Sequence, residues 1–147
     1  MITYVSGDLL QSDAQVLVNP VNCVGVMGKG LAKAFADHFP SILPPYRAAC
    51  RDGRLRPGDV QLLMLPDRRV IANLPTKDDW RHPSRLEWVA AGLATLRSKM
   101  TARGLASVAI PPLGAGLGGL AWPDVRATID AEFGADPTVH AQVYRPR

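Results

Sequence analysis

The chain has 147 residues, of which 47% are hydrophobic and 20% charged, enough for one domain with a full core and incompatible with disorder, collagen or coiled coil. Seventeen Lys+Arg against thirteen Asp+Glu give +4, a modest tilt toward an anionic ligand such as a nucleotide or nucleic acid. No apolar run approaches the roughly 18 residues that span a bilayer, and the opening Met1-Ile2-Thr3-Tyr4-Val5 leads straight into polar Ser6-Gly7-Asp8, so no membrane span or signal peptide is expected and the chain reads as cytoplasmic.

In chain order, Ile2 to Val5 reads as a first strand and Val16-Leu17-Val18 as a second, closed by Asn19-Pro20-Val21-Asn22. Leu31, Ala34 and Phe35 share one face of a helix from Leu31 to His38, which Pro40 stops. Ile42 to Asp52 fits a second helix with Pro44-Pro45 in its first turn. Val60 to Leu65 and Arg69 to Leu74 read as strands around the turn Pro66-Asp67-Arg68. Leu86, Val89, Leu93 and Leu96 mark the longest helix, beginning near Ser84 and ended by Gly104. Ala106 to Ile110 is a buried strand, Trp122 to Phe133 a helix and Val139 to Tyr144 a last strand. This alternation predicts a three-layer α/β/α domain over residues 1–147, with helices on both faces of a mixed, mostly parallel sheet.

In such sheets ligands bind where strands lead into helices, and two of those loops are glycine-rich. Gly25-Val26-Met27-Gly28-Lys29-Gly30 could bring main-chain N–H groups against an anion, or be a turn with no ligand. It is not a P-loop: Cys23 stands where the first glycine belongs, and Gly30 replaces the magnesium-binding hydroxyl. Leu113-Gly114-Ala115-Gly116-Leu117-Gly118-Gly119-Leu120 satisfies the dinucleotide fingerprint literally, with Asp136 downstream. Asp136, however, precedes the last strand instead of ending one, and too little chain remains for a nucleotide-binding half. What survives is a pair of loops at one sheet rim, suited to a ligand with two adjacent phosphates.

Gly7-Asp8-Leu9, Val18-Asn19-Pro20-Val21-Asn22 with Met27-Gly28-Lys29-Gly30-Leu31-Ala32, and Pro112 to Leu120 together resemble the macrodomain, the ADP-ribose-binding fold, across essentially the whole chain. Asn73-Leu74-Pro75-Thr76-Lys77 with Trp80-Arg81 is similar to the antitoxin macrodomains of the DarT/DarG toxin–antitoxin pair and their ALC1-like relatives. The resemblance implies that Asp8 accepts from the adenine amino group and that the Leu9 backbone seats the ring. It implies that Asn22 lies by the distal ribose, that Gly28, Lys29, Gly30, Leu31 and Ala32 face Gly114, Ala115, Gly116, Leu117 and Gly118 across the diphosphate, and that Thr76 supports the site. Lys77 is the implied catalytic residue. Read alone, Asp8 caps a turn, Asn22 ties its own backbone and Lys77 is a solvated lysine.

The implied chemistry is cleavage of a glycosidic bond at ribose. A neutral amine can capture the opened sugar as a Schiff base, and enclosure in a pocket favours the neutral form. Asp78 and Asp79 would hold the ammonium charged, so both are expected to point away; if they point in, Lys77 acts as a cation or hydrogen-bond donor. Where a human relative carries an aspartate after glycine–x–glycine, this chain has Gly118, as the antitoxin branch does, so no carboxylate partner comes from there. His82 reads as structural, and His38, His82 and His140 lack ligand spacing, so neither a metal nor a cofactor is expected. Cys23 and Cys50 read as buried thiols.

The expected function is an ADP-ribosyl hydrolase acting on ADP-ribosylated nucleobases in DNA, with ADP-ribosylated acidic side chains of proteins as a second substrate class. Its expected partners are ADP-ribose, ADP-ribosylated DNA and a cognate ADP-ribosyltransferase toxin. Arg81, Arg85 and Lys33 are candidate DNA contacts or solvated charges. The competing expectation is a reader that binds ADP-ribose without cleaving it; a nicotinamide-dependent oxidoreductase gains little from these residues.

Overall fold

The computed structural model describes residues 1–147. Six strands, β1 (Ile2–Val5), β2 (Val16–Val21), β3 (Gln61–Met64), β4 (Val70–Pro75), β5 (Ser107–Ile110) and β6 (His140–Tyr144), form one sheet in the order β1-β6-β5-β2-β4-β3. All neighbours pair parallel except β3, which returns antiparallel against β4. The five parallel strands therefore end at one rim. The helices are α1 (Gly30–His38), α2 (Leu43–Arg51), α3 (Leu86–Ala102) and α4 (Trp122–Phe133). None is long and apolar enough to cross a membrane.

Alternation along the strands divides the core in two. Val16 and Val18 of β2 face α3 and α4, joining Val89, Leu93, Leu96, Val125, Ile129 and Phe133 in one apolar cluster. Leu17 and Val21 face the other way and pack with Phe35 of α1 and Tyr46 and Ala49 of α2. Each fully buried Leu or Val contributes roughly 1.5–3 kcal/mol of apolar burial, so each cluster independently fastens its helical layer to the sheet. The expected α/β/α layering is thus the observed one.

The predicted elements recur within one or two residues. Prolines occupy the first turn of α2, where no N–H is needed. Arg68 takes φ +73 in the β3–β4 turn, and Gly104 takes φ +67 just past α3.

The main difference is β2, which continues through Asn19-Pro20-Val21 where a closing turn was expected. β5 pairs with β2 only at Val16 and Leu17, whereas β4 pairs with it as far as Val21. Val21 accepts from the Thr76 N–H on the β4 side, so Pro20 turns its nitrogen toward β5, where pairing has already ended. The missing donor of Pro20 therefore costs no ladder bond. The same divergence of β2 and β5 opens a cleft at the rim.

Candidate functional site

The cleft is a cavity of about 660 Å³ lined by β2, the loop into α1, the loop after β4 and the loop after β5. Its charged lining is entirely cationic, Lys29, Lys77 and Arg81, with no carboxylate among the lining residues. No group of three or more His, Cys, Asp or Glu side chains gathers anywhere in the chain.

The first loop is organised by Asn22. Its Oδ1 accepts from Val24 N at 3.1 Å, from Val26 N at 3.4 Å and from the Tyr46 hydroxyl at 2.8 Å, while Nδ2 donates to Val26 O at 2.8 Å. The same hydroxyl hydrogen is shared with the Asn22 carbonyl, 2.9 Å away, so α2 holds the loop in place. Asn22 thus does tie its own backbone, and it also lines the cavity with one amide hydrogen left to give. The loop delivers the chain to α1, which has no side-chain cap and no acidic residue in its first turn. Gly30, Leu31 and Ala32 line the cavity there, and first-turn N–H groups have no intrahelical acceptor. Such a terminus favours an anion.

The second loop folds on itself through Ala115 N to Pro112 O, Gly119 N to Gly116 O and Leu120 N to Gly114 O. Ser84 fastens it to the lysine-bearing loop. The Ser84 N–H donates to Gly118 O at 3.0 Å, and its buried hydroxyl donates to Thr76 Oγ1 at 3.2 Å. A Cβ at Gly118 would fall 2.2 Å from Ser84 Oγ and 2.5 Å from Gly114 O. Gly118 is therefore a packing requirement of this site, and a carboxylate has no room there.

Lys77 reaches across the mouth, its Nζ donating to Leu117 O at 3.4 Å. Its own backbone is pinned to the first loop: Cys23 N donates to Asp78 O at 3.0 Å, and Cys23 Sγ lies 3.6 Å from Lys77 O. Burial pushes the Cys23 thiol up to about 12 and raises Cys50 as well, so both stay protonated. Neither Asp78 nor Asp79 lines the cavity, as expected. Asp78 meets His82 Nδ1 at 3.1 Å, and that hydrogen bond lowers its pKa; Asp79 is held lower still by Arg81, which donates Nε at 2.9 Å and a terminal nitrogen at 2.7 Å.

Of the residues singled out in the sequence, the cavity gathers Asn22, Gly28, Lys29, Gly30, Leu31, Ala32, Thr76, Lys77, Gly114, Gly116, Leu117 and Gly118. Asp8, Leu9 and Ala115 do not line it. Asp8 is exposed three residues beyond β1, where it caps the turn Leu9–Gln11 by accepting from Leu10 N at 3.0 Å, Leu9 is buried, and Ala115 packs against the α3/α4 cluster. Asp136, the remnant of a dinucleotide fingerprint, is bonded to Arg97 and Thr138 instead. Lys33 pairs with Asp37 and Arg85 with Glu87. Ser84 and Tyr46 were not anticipated.

The family model for the Macro domain matches residues 18–129, which hold both glycine loops and Lys77. The chain is a macrodomain. It is 45% identical over 99% of its length to a protein of Mycobacterium tuberculosis named DNA ADP-ribosyl glycohydrolase. The macrodomain of Mycobacterium tuberculosis DarG superposes with a TM-score of 0.97 at 44% identity, covering 100% of this macrodomain and 99% of that chain. Thermosipho africanus DarTG, solved in complex with ADP-ribose, gives 0.91 at 31% identity, covering 99% of this macrodomain and 41% of that chain. This macrodomain spans about two-fifths (42%) of the length of the curated relative named above.

Proposed function

We propose that this macrodomain is an ADP-ribosyl hydrolase that binds ADP-ribose in the cleft and releases it from modified nucleobases in DNA, with acidic protein side chains as a second substrate class. The observation that carries the reading is one cationic cavity in which two main-chain loops face each other and the Lys77 amine reaches across the mouth to the Leu117 carbonyl. The near-full-length likeness to relatives named DNA ADP-ribosyl glycohydrolase supports DNA as the first substrate. A transferase of the DarT type is the corresponding partner, supported by the likeness to a DarTG protein.

The N-terminus of α1 and the loop from Gly114 to Gly118 take the diphosphate from opposite sides. Asn22 gives its spare amide hydrogen to the distal ribose. Thr76, held by Ser84, fixes the turn that presents Lys77. Asp8 and Leu9, just beyond β1 on the same rim, take the adenine. Asp79 is engaged by Arg81 and Asp78 by His82, which leaves the Lys77 amine as the nucleophile offered to the scissile bond. The Nζ lone pair attacks the anomeric carbon, and the base leaves with the bonding pair, taking up the proton that Nζ sheds. The glycosylamine opens to an imine, and water adds to the C=N bond, freeing ADP-ribose and restoring the amine.

The test offers the protein single-stranded DNA bearing ADP-ribosyl thymidine or guanosine beside a glutamate-ADP-ribosylated protein. The expected result is release from the DNA, lost in Lys77→Ala while ADP-ribose still binds. Binding without release from either substrate makes the macrodomain a reader; release from the protein alone removes DNA as the substrate.

A further inference from the structure

Six large hydrophobic side chains remain exposed, and three of them stand at the mouth of the cavity. Val26, Trp80 and Leu117 all line the cavity, and Trp80 is 51% exposed. Exposed apolar surface gathered at one opening marks a place where something apolar is received. Trp80 stands three residues beyond Lys77, on the loop that carries the amine. The Arg81 guanidinium lies over its indole, 5.5 Å from the ring centroid, and is itself held by two bonds to the Asp79 carboxylate. Carboxylate, guanidinium and indole therefore form a fixed stack, with one ring face covered by Arg81 and about half the residue still open to solvent. A guanidinium held by two hydrogen bonds keeps a half-exposed tryptophan in one orientation. It suits a ring that must stay flat and ready.

We propose that Trp80, braced by Arg81 and Asp79, is the stacking platform for the nucleobase that carries the ADP-ribose. This inference rests on the hydrolase reading of the cleft and adds a subsite for the leaving group. The diphosphate lies between the glycine loops and the anomeric carbon beside Lys77, so the group attached to that carbon emerges at the rim where Trp80 stands. A purine or pyrimidine offers a flat π-face of the right size, and stacking on an aromatic ring tolerates any base. An ADP-ribosylated glutamate offers no such face. The platform therefore favours a base over an acidic side chain at the same amine, and it favours single strands, whose bases are free to leave the stack.

The test compares wild type, Trp80→Ala and Trp80→Phe on three ligands: a single-stranded oligonucleotide with one ADP-ribosylated base, a glutamate-ADP-ribosylated protein, and free ADP-ribose. Alanine should raise KM for the oligonucleotide on the order of tenfold more than it weakens free ADP-ribose, phenylalanine should recover most of that loss, and the protein substrate should show no comparable change. Equal losses on all three ligands, or no loss on the oligonucleotide, overturn the platform while leaving the hydrolase standing. A wild type that releases nothing from any oligonucleotide overturns the platform together with DNA as the substrate, and one that also releases nothing from the protein overturns the hydrolase as well.

Discussion

Gly118→Ala isolates the packing that holds the two sides of the site together. The backbone at Gly118 lies outside the left-handed region, so alanine meets no conformational penalty of its own and the cost is steric. Its Cβ would stand 2.2 Å from Ser84 Oγ, 2.5 Å from Gly114 O and 2.8 Å from Gly114 Cα. To make room, Ser84 must rotate away from Thr76, or the second loop must lift and break the bond from Ser84 N to Gly118 O. A buried partner left unsatisfied costs about 1–3 kcal/mol, and overpacking costs a similar amount, so about 3 kcal/mol in all is expected. For a domain of this size that is a fall of about 6–12 °C in Tm, read by thermal unfolding. Calorimetry with ADP-ribose should show weakened binding in the same variant. Ser84→Ala combined with Gly118→Ala should recover only part of the loss, because the Gly114 carbonyl still stands in the way. Gly118→Asp should fare no better, since its carboxylate begins from the same Cβ. A Gly118→Ala protein that melts within about 1 °C of wild type and binds ADP-ribose equally well would refute the reasoning.

Tyr46→Phe removes both hydroxyl bonds to Asn22 and should lower stability by about 1–3 kcal/mol while weakening ADP-ribose binding through a loosened first loop; unchanged affinity would show that the loop stands without it. Cys23, Cys50 and Tyr46 all titrate higher in the folded chain than free groups do, chiefly through burial. The neutral Cys23 thiol stabilises the fold fully below the ordinary thiol range, and that stability is lost as pH climbs from about 9 toward 12, with Cys50 and Tyr46 acting in the same direction. Tm should therefore be level up to about pH 8.5 and decline above it, with a shallower decline in Cys23→Ser; an equally steep decline in that variant would remove Cys23 as a cause. Asp79 titrates in the opposite sense. Its carboxyl is lowered by Arg81, so the brace behind Trp80 should persist as pH falls to about 4, the ordinary carboxylate range. The difference in fluorescence between wild type and Trp80→Phe, constant from pH 7 to 4, would record that; a change centred near pH 4 would contradict it.

The layering and the order of elements were legible because local signals agreed: helical spacing in Leu86 to Leu96, prolines in the first turn of α2, and glycine after α3. β2 was cut short because proline inside a strand ordinarily ends it. Whether it does depends on which side of the strand lacks a neighbour, and the retreat of β5 is a fact about residues some ninety positions away. The glycine loops and Lys77 could be read from sequence and resemblance, since their chemistry depends on residue type. Ser84 and Tyr46 could not. Ser84 sits where a helix start was expected, yet α3 begins at Leu86 and the serine hydroxyl turns to Thr76. Tyr46 has the spacing of an ordinary core residue, and only its hydroxyl partners distinguish it.

Met27 and Phe35 root the first loop and α1 in the apolar cluster on one side of the sheet, whereas Leu113 and Leu120 root the second loop in the cluster on the other. The gap between the jaws is therefore set by two separate foundations. Trimming a methyl group from Phe35's surroundings or from Ile129, far from any ligand, would tilt one jaw and not its opposite. Variants that retune affinity should consequently be scattered through the interiors of both layers instead of crowding the rim.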